Sequence, residues 1–456
     1  MEVKEGLESL LGQEKALSLL EKALNFSNSL QTEALYIGKQ ESLTRYTNSV
    51  VHQNVIEENT ILSIRAVNEG RVGCDMTNSL DERSIKESVE KANIVSKVQP
   101  QEVEFYSLPP PAPYKPLEIF VEATAEYSPE DKARDIGIII RIAERAGVKA
   151  AGAFSTINQE IAIASTLGVR AYCKFTTAFL SNIMFDEESS GYADRISRDV
   201  RELNPQAVAW EALQRCLENR EAKELSPGEY EVVLEEYAVA DLIEYLAFMG
   251  FSALSFQEGY SFMSGNIGKE LVDKKITIWD DGLDIRGLAQ PFDYEGVPKR
   301  KVELITEGVA KGVVYNSQTA FKEWKLSTGH ALPAPNVYGP LPLNLFVKGG
   351  DTTEEEMISQ VERGLLITRF HYIREMHTLK TLITGMTRDG VIYIENGKKK
   401  YPVKNMRFTQ SILEALKDVR GISRDTKLQS SPEGFGCAVV PKMHLGRFNF
   451  TGISKL

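Results

Sequence analysis

Five histidines and four cysteines are the side chains best suited to nucleophilic or metal chemistry in this 456-residue chain, and their spacing limits both uses. His371 and His377 are six positions apart. That sets them on different faces of a helix or well separated along a strand, so neither arrangement brings both to one ion. His52, His330 and His444 are isolated, and Cys74, Cys173, Cys216 and Cys437 show no Cys-x-x-Cys spacing, which reads as reduced thiols rather than a metal knuckle or a disulfide scaffold. Paired acids occur at Asp280-Asp281-Gly282 and Asp293-Tyr294-Glu295. Two carboxylates could share general acid/base work, but acids near glycine are also what tight turns select, and the turn reading is favoured. His330, in Thr328-Gly329-His330-Ala331, is a candidate for substrate contact or for a satisfied structural histidine. His371 is a second candidate substrate contact. Arg388, between Thr387 and Asp389-Gly390, reads first as a hairpin residue and second as a contact for a peptide carboxylate. Gly265-Asn266-Ile267-Gly268 lacks the Lys-Ser/Thr of a phosphate loop and no Rossmann fingerprint opens a helix, so nucleotide binding is not supported.

The elements that must position these residues follow from periodicity. Residues 3 to about 30 place Leu7, Leu10, Leu11, Leu17, Leu20 and Leu24 at helical spacing. Short β-rich runs at 34–39, 43–47, 50–56, 60–67 and 71–75 read as strands, and 84–96 as a helix. This is an α+β layer with helices over one face of a sheet. Residues 108–116 hold five prolines and are expected to run extended as a stiff connector, a displayed proline-rich ligand being the alternative. Beyond it come a helix at 129–146, strands at 152–163 and 169–184, and a helix at 204–218 whose face is read as Ala207, Trp210, Leu213 and Leu217. Ser226-Pro227-Gly228 is the best boundary. The expected organisation is an N-terminal α+β domain (1–107), the connector (108–116), a central α+β segment packing with the first domain (117–225) and a mainly antiparallel β domain, sheet or barrel-like (226–456). Between Ser261 and Asn336, short apolar runs end repeatedly in Gly or Pro beside an acid, which reads as strands punctuated by turns. From about 435 to 453, alternating Val439, Met443, Leu445, Phe448 and Phe450 read as a further strand or a subunit interface, with Lys442 and Arg447 solvated.

With 42% hydrophobic residues the chain has ample material for cores, and its net charge of -11 repels nucleic acid and anionic membrane. No apolar window is long enough for a membrane helix, and the N-terminus lacks the apolar core of a signal peptide. The cytoplasm is the expected location.

The ordered blocks Ser261-Phe262-Met263-Ser264-Gly265-Asn266-Ile267-Gly268, Ile276-Thr277-Ile278-Trp279-Asp280-Asp281-Gly282, Phe292-Asp293-Tyr294-Glu295-Gly296, Ser327-Thr328-Gly329-His330 and Leu382-Ile383-Thr384-Gly385-Met386-Thr387-Arg388-Asp389-Gly390 resemble the TldD/PmbA metallopeptidase family. The likeness extends to Thr44-Arg45-Tyr46-Thr47-Asn48 and Gly70-Arg71-Val72-Gly73 in the N-terminal half. In the catalytic TldD subunit a helix carrying His-Glu-x-x-x-His supplies two zinc ligands. Counting back from Ser264-Gly265, that resemblance aligns Glu244 and Met249 with the ligand positions and Tyr245 with the catalytic glutamate. Zinc seldom uses a thioether, and a phenol with pKa near ~10 cannot act as the carboxylate base. Leu242, Tyr245, Leu246 and Met249 read instead as a core stripe. The family's third ligand is a C-terminal cysteine, and Cys437, in Gly434-Phe435-Gly436-Cys437, sits in a comparable turn but cannot fill a tetrahedral site alone.

The resemblance therefore implies a TldE (PmbA)-type subunit with no catalytic residues and no cofactor of its own. Zinc is expected in a TldD-like catalytic partner, and unfolded or modified peptides are the expected substrate. A stand-alone hydrolase with a rebuilt site and a non-enzymatic homodimeric peptide-binding protein are the alternatives. The family is also described as modulating DNA gyrase, a role that the acidic charge does not favour.

Overall fold

One antiparallel sheet organises the first half of the chain. In this computed structural model, which describes residues 10–100, 107–430 and 436–454, helix α1 (Gly12–Asn25) precedes strands β1 (Gln31–Thr47), β2 (Val50–Asn68) and β3 (Arg71–Thr77) and helix α2 (Glu82–Val98). A helical turn, α3 (Glu122–Ala125), and helix α4 (Pro129–Arg145) lead to strands β4 (Lys149–Ser165), β5 (Arg170–Phe185) and β6 (Ser190–Ser197) and helix α5 (Pro205–Glu218). The strand order is β3-β2-β1-β4-β5-β6. Because successive side chains point to opposite faces, Tyr36, Leu62, Ile64 and Ala162 pack with α1 and α2, and Phe154 and Leu180 pack with α4 and α5. Leu35, Ile161 and Ile163 point the other way and meet Phe292 and Tyr294 of the C-terminal half.

Several expected boundaries change. The runs at 34–39 and 43–47 are one strand, β1, and those at 50–56 and 60–67 are one strand, β2. The polar residues between them continue the ladder, with Gln40 opposite Glu58 and Glu41 opposite Glu57. They were read as breaks, but in a sheet with a solvated side polar residues are tolerated mid-strand. The first helix ends at Asn25 rather than near 30, because Ser27 turns the chain by accepting the Ser29 N–H; residues 3–9 of that reading lie outside the described residues. On α5 the buried face is Val208, Ala209, Ala212, Leu213 and Cys216, whereas Trp210 and Leu217 are exposed. Strand β6 had no expectation attached to it. The proline-rich stretch has no regular structure; Leu108 is buried and Tyr114 donates its hydroxyl to the Tyr172 carbonyl.

The second half opens with strand β7 (Gly228–Leu234) and helix α6 (Glu236–Gly250). Ser261–Asn336 is mostly irregular, with only the short strands β8 (Ile278–Asp280), β9 (Val302–Thr306) and β10 (Val309–Ala310). The punctuation was real, but it marks loops more than strands, since Gly265, Gly268, Gly296, Gly308 and Gly329 all have positive φ. Then follow β11 (Asn344–Val347), β12 (Arg363–His377), β13 (Leu382–Glu395), β14 (Lys398–Pro402), β15 (Met406–Ser411), β16 (Val419–Ser430) and β17 (Cys437–Ile453). They form an eleven-stranded mixed sheet ordered β10-β9-β8-β11-β17-β15-β13-β12-β7, with β14 on β13 and β16 on β17. Strand β7 pairs with both β12, in parallel, and β17, antiparallel.

Helix α6 packs against β12, β16 and β17. Most of its side chains are buried, among them Leu242, Leu246 and Met249. The apolar side chains of β17 are likewise interior. Lys442 is not solvated as expected, because it is half-buried and ion-paired with Glu354; Arg447 is exposed. Residues 434 and 435 of the expected C-terminal turn lie outside the described residues.

Candidate functional site

The cavity-lining part of α6 is a stripe in which Tyr237, Asp241, Glu244, Tyr245 and Phe248 recur at three- and four-residue spacing, the first two of them buried. Two cavities open along it and share Tyr245 and Arg374. The larger, about 460 Å³, lies where the two sheets meet and takes walls from β5, β6, α6, β12 and β16. The smaller, about 220 Å³, is lined by Glu244, Phe248, Leu341, Pro342, Leu345 and Glu375 as well as the shared pair.

One backbone irregularity lines the larger cavity, and a second lines a separate cleft on β13. Tyr372 on β12 has φ of 52°, and the β12–β13 register slips between His371 and Arg374. On β13, Asp389 has φ of 56° and Gly390 φ of 153°. A Cβ at Gly390 would lie 2.2 Å from the Thr368 hydroxyl, so no larger residue fits there. Bulges of this kind re-aim side chains, and positive φ at non-glycine residues is uncommon enough to point to a functional constraint.

Their consequence is a fixed Arg369. Its guanidinium grips the buried Asp389 carboxylate through Nε (2.7 Å) and Nη2 and lies over the Tyr192 ring, 4.1 Å from its centroid. Asp389 also accepts from the Ser190 hydroxyl at 2.5 Å, which ties β6 to β13. Tyr192 donates to Asp194 Oδ2 at 2.6 Å. Tyr237 donates to Glu211 at 3.2 Å and accepts from Lys427 Nζ at 2.7 Å and the Asp194 N–H at 3.2 Å. Burial opposes the Glu211 charge, yet Lys427, Arg215 and Arg195 outweigh it and hold the carboxyl down at about 2. Asp241 differs. Burial pushes its carboxyl well above the usual range and nearby Glu244 adds to the push, against Arg369 and the Phe370 N–H. His371, at the rim, is pushed down by burial first and then by Arg369 and Arg388, which favours the neutral imidazole.

Of the residues singled out in the sequence, Glu244, Tyr245 and His371 fall along this paired cavity. Tyr245 donates its hydroxyl to the Ile373 carbonyl at 2.8 Å, and Met249 is 1% exposed in the core. Arg388 is not a hairpin residue. It lies inside β13, opposite Arg369, and lines a separate open cleft of about 950 Å³. The Asp389-Gly390 signal that suggested a hairpin marks the bulge instead. His330 is fully buried, with Nε2 2.7 Å from Asp280 Oδ1 and Nδ1 2.9 Å from the Thr328 hydroxyl. The paired acids also turn inward: Asp280 accepts the Asn344 N–H, and Asp293 accepts those of Glu295, Val297 and Ala331. Cys437 donates to Asn344 Oδ1 and accepts the Leu288 N–H, and burial raises its thiol to about 12. Among the described residues, no three His, Cys, Asp or Glu side chains gather as a metal site. Asp194, Asp241, Arg369 and Gln429 were missed. A buried-face acid between Ala240 and Leu242 on the largely apolar α6 was a signal for Asp241; Gln429 had none.

The model of the PmbA/TldA metallopeptidase C-terminal domain matches residues 227–452. The chain belongs to the PmbA/TldD family. An uncharacterized protein of Methanocaldococcus jannaschii is 28% identical over 277 residues, covering 59% of this chain and 63% of that protein. Metalloprotease PmbA of Escherichia coli O157:H7 is 25% identical over 285 residues, covering 61% and 60%. The match thus spans about three fifths of the length of these curated relatives. The crystal structure of TldE from Thermococcus kodakarensis superposes with a TM-score of 0.85 over 95% of this chain and 99% of that one, at 19% identity. At that identity the likeness establishes the PmbA/TldD fold. Among the described residues, no helix is long and apolar enough to cross a membrane.

Proposed function

We propose that this chain is the TldE-like member of a two-chain PmbA/TldD peptidase and supplies walls of the peptide chamber rather than the metal. The observation that carries this reading is the make-up of α6. The donor set at Glu244, Tyr245 and Met249 does not fit zinc: Met249 is core, Tyr245 is committed to the Ile373 carbonyl, and Cys437 is held by Asn344 and Leu288. No step is therefore routed through a metal in this chain. Its own contribution is the aromatic and polar lining beside α6, where an extended peptide can lodge while a TldD-like partner provides zinc and base.

Two purifications test the proposal: the chain alone, and the chain with a His-Glu-x-x-x-His relative from the same organism. Zinc content, complex formation and cleavage of an unfolded peptide are measured on both. The expected result is substoichiometric zinc and no cleavage alone, and a stable complex with chelator-sensitive cleavage together. Stoichiometric zinc with cleavage by the isolated chain would establish a stand-alone hydrolase instead. Peptide binding with no complex and no turnover would establish a binding protein.

A further inference from the structure

The larger cavity beside α6 contains three buried polar groups whose partners are incomplete. Among the described residues, Asp194 Oδ1 has no hydrogen-bond partner, although Oδ2 of the same carboxylate takes the Tyr192 hydroxyl. Among the same residues Gln429 Nε2 has none either, on a side chain only 2% exposed. Asp241 takes the Phe370 N–H and, among the described residues, no side-chain donor. Folded proteins seldom leave such groups unsatisfied, because the lost hydration is not repaid.

The neighbouring cations do not fill the gap. Arg369 is engaged by Asp389, and Lys427 by the Tyr237 hydroxyl and by Glu211 at 3.6 Å. His371 is held toward its neutral form, Glu244 adds negative charge, and Arg374, which lines both cavities, donates Nη1 to the Ile373 carbonyl at 2.9 Å. The walls between are aromatic, from Tyr192, Tyr237, Tyr245 and Phe370. Carboxylates with open acceptor positions among ring faces are what an organic ammonium ion requires. An amide N–H donor in the same cavity calls for a carbonyl close to that ammonium.

We propose that this cavity takes the free N-terminus of a peptide, with its α-ammonium between Asp194 and Asp241 and its first carbonyl against the Gln429 amide. The inference rests on the peptide part of the function above, not on a partner chain. A volume of about 460 Å³ holds a terminal residue or two. Binding has a proton signature. Burial pushes the Asp241 carboxyl well above its usual range, and an adjacent ammonium favours the carboxylate, so entry of the cation favours loss of a proton there.

The test is isothermal titration of the full chain with three probes: alanyl-alanine amide, its N-acetylated form, and N-acetyl-lysine methylamide. Heats are compared in buffers of different ionisation enthalpy. The free α-amine should bind with net proton release, and acetylation should weaken it at least about ten-fold. Asp194→Asn and Asp241→Asn should each cost a similar factor, with the Asp241 variant also losing proton release. Equal binding of the acetylated peptide, binding of the lysine side chain alone, or no binding of any probe overturns the inference. If these probes fail while the two-chain complex still cleaves peptides, the function stands and this site assignment falls.

Discussion

Arg65 on β2 donates to Glu295, 230 positions later in the chain, at 2.9 Å, and the same guanidinium reaches Glu33 on β1 at 2.8 Å. All three side chains are buried, and the second oxygen of Glu295 accepts the Ser317 N–H. An acid whose sequence context suggested a tight turn therefore also clamps the N-terminal sheet to the irregular segment that follows α6. That segment sits against the sheet face opposite the helices, where Phe292 meets Ile161 and Ile163.

Removing the shared cation leaves two carboxylates buried without a counter-charge, and among the described residues Glu295 keeps only the Ser317 N–H. Arg65→Met is expected to lower unfolding stability by about 3–5 kcal/mol. Glu295→Gln should cost less, because the amide oxygen can still accept. Urea unfolding followed by fluorescence measures both; equal, small effects would show that the clamp does not hold the halves together.

Glu160 on β4 has a comparable role on the opposite face of the sheet. Its carboxylate accepts the Leu11 and Gly12 N–H groups at 2.5 and 3.0 Å and the hydroxyls of Tyr36 and Tyr172 at 3.1 and 2.8 Å. Leu11, the N-cap residue of α1, provides no side-chain cap, so this strand residue takes over that function. Glu160→Ala strands four donors, and a loss of roughly 3 kcal/mol or more is expected. Amide exchange in α1 should quicken before that of β4. Unchanged α1 protection in the variant would refute this account.

How much of this was legible in sequence depended on whether the signal was local. Helices α2, α4 and α5 follow from period and caps, as with the Ser128/Asp131 capping box before α4, whereas α6, which has no side-chain cap, is placed by the family resemblance. Strands β1 and β2 were cut in two by polar residues that are tolerated because one side of the long ribbon is solvated. Glu244 and Tyr245 were found because the family resemblance placed them on one helix, and His371 was singled out by residue type while its element stayed open between helix and strand. Asp194, Arg369 and Gln429 were missed because each acquires meaning only from the junction of two sheets. Arg388 was misread because Asp-Gly signals positive φ without saying whether a hairpin or a bulge uses it.

Lys132 supplies a pH test. It is fully buried on α4, donating to the Ser42 hydroxyl and the Tyr127 carbonyl, and burial lowers its pKa to about 8, with Asp131 opposing. Below about 8 the ammonium is charged in both states and the fold bears the desolvation; above the unfolded value of 10.5 it is neutral in both. Between these limits the unfolded chain binds more protons, so this group's contribution to stability rises with pH, by at most about 3 kcal/mol. Lys132→Met should remove that rise. Subtracting the variant's stability curve from the parent's isolates it from tyrosine ionisation, and a flat difference between pH 8 and 10 would contradict the prediction.

Restoring the family's metal motif in α6 should fail in an informative way. The triple variant Glu244→His, Tyr245→Glu and Met249→His writes His-Glu-x-x-x-His into the helix. Position 244 faces the smaller cavity, but position 249 is 1% exposed within the main core. An imidazole there loses the packing of Met249 and buries a polar ring, at a cost of about 2–4 kcal/mol. The third donor the family would use, Cys437, is occupied by Asn344 and Leu288, and its raised thiol pKa disfavours the thiolate that zinc needs. A lowered melting temperature and zinc well below one equivalent by mass spectrometry are the expected outcome. One tightly held zinc with an unchanged melting temperature would mean that α6 can rotate or shift to present position 249 to the cavity, and the metal-free reading of this subunit would then rest on three side chains alone rather than on how the helix is seated.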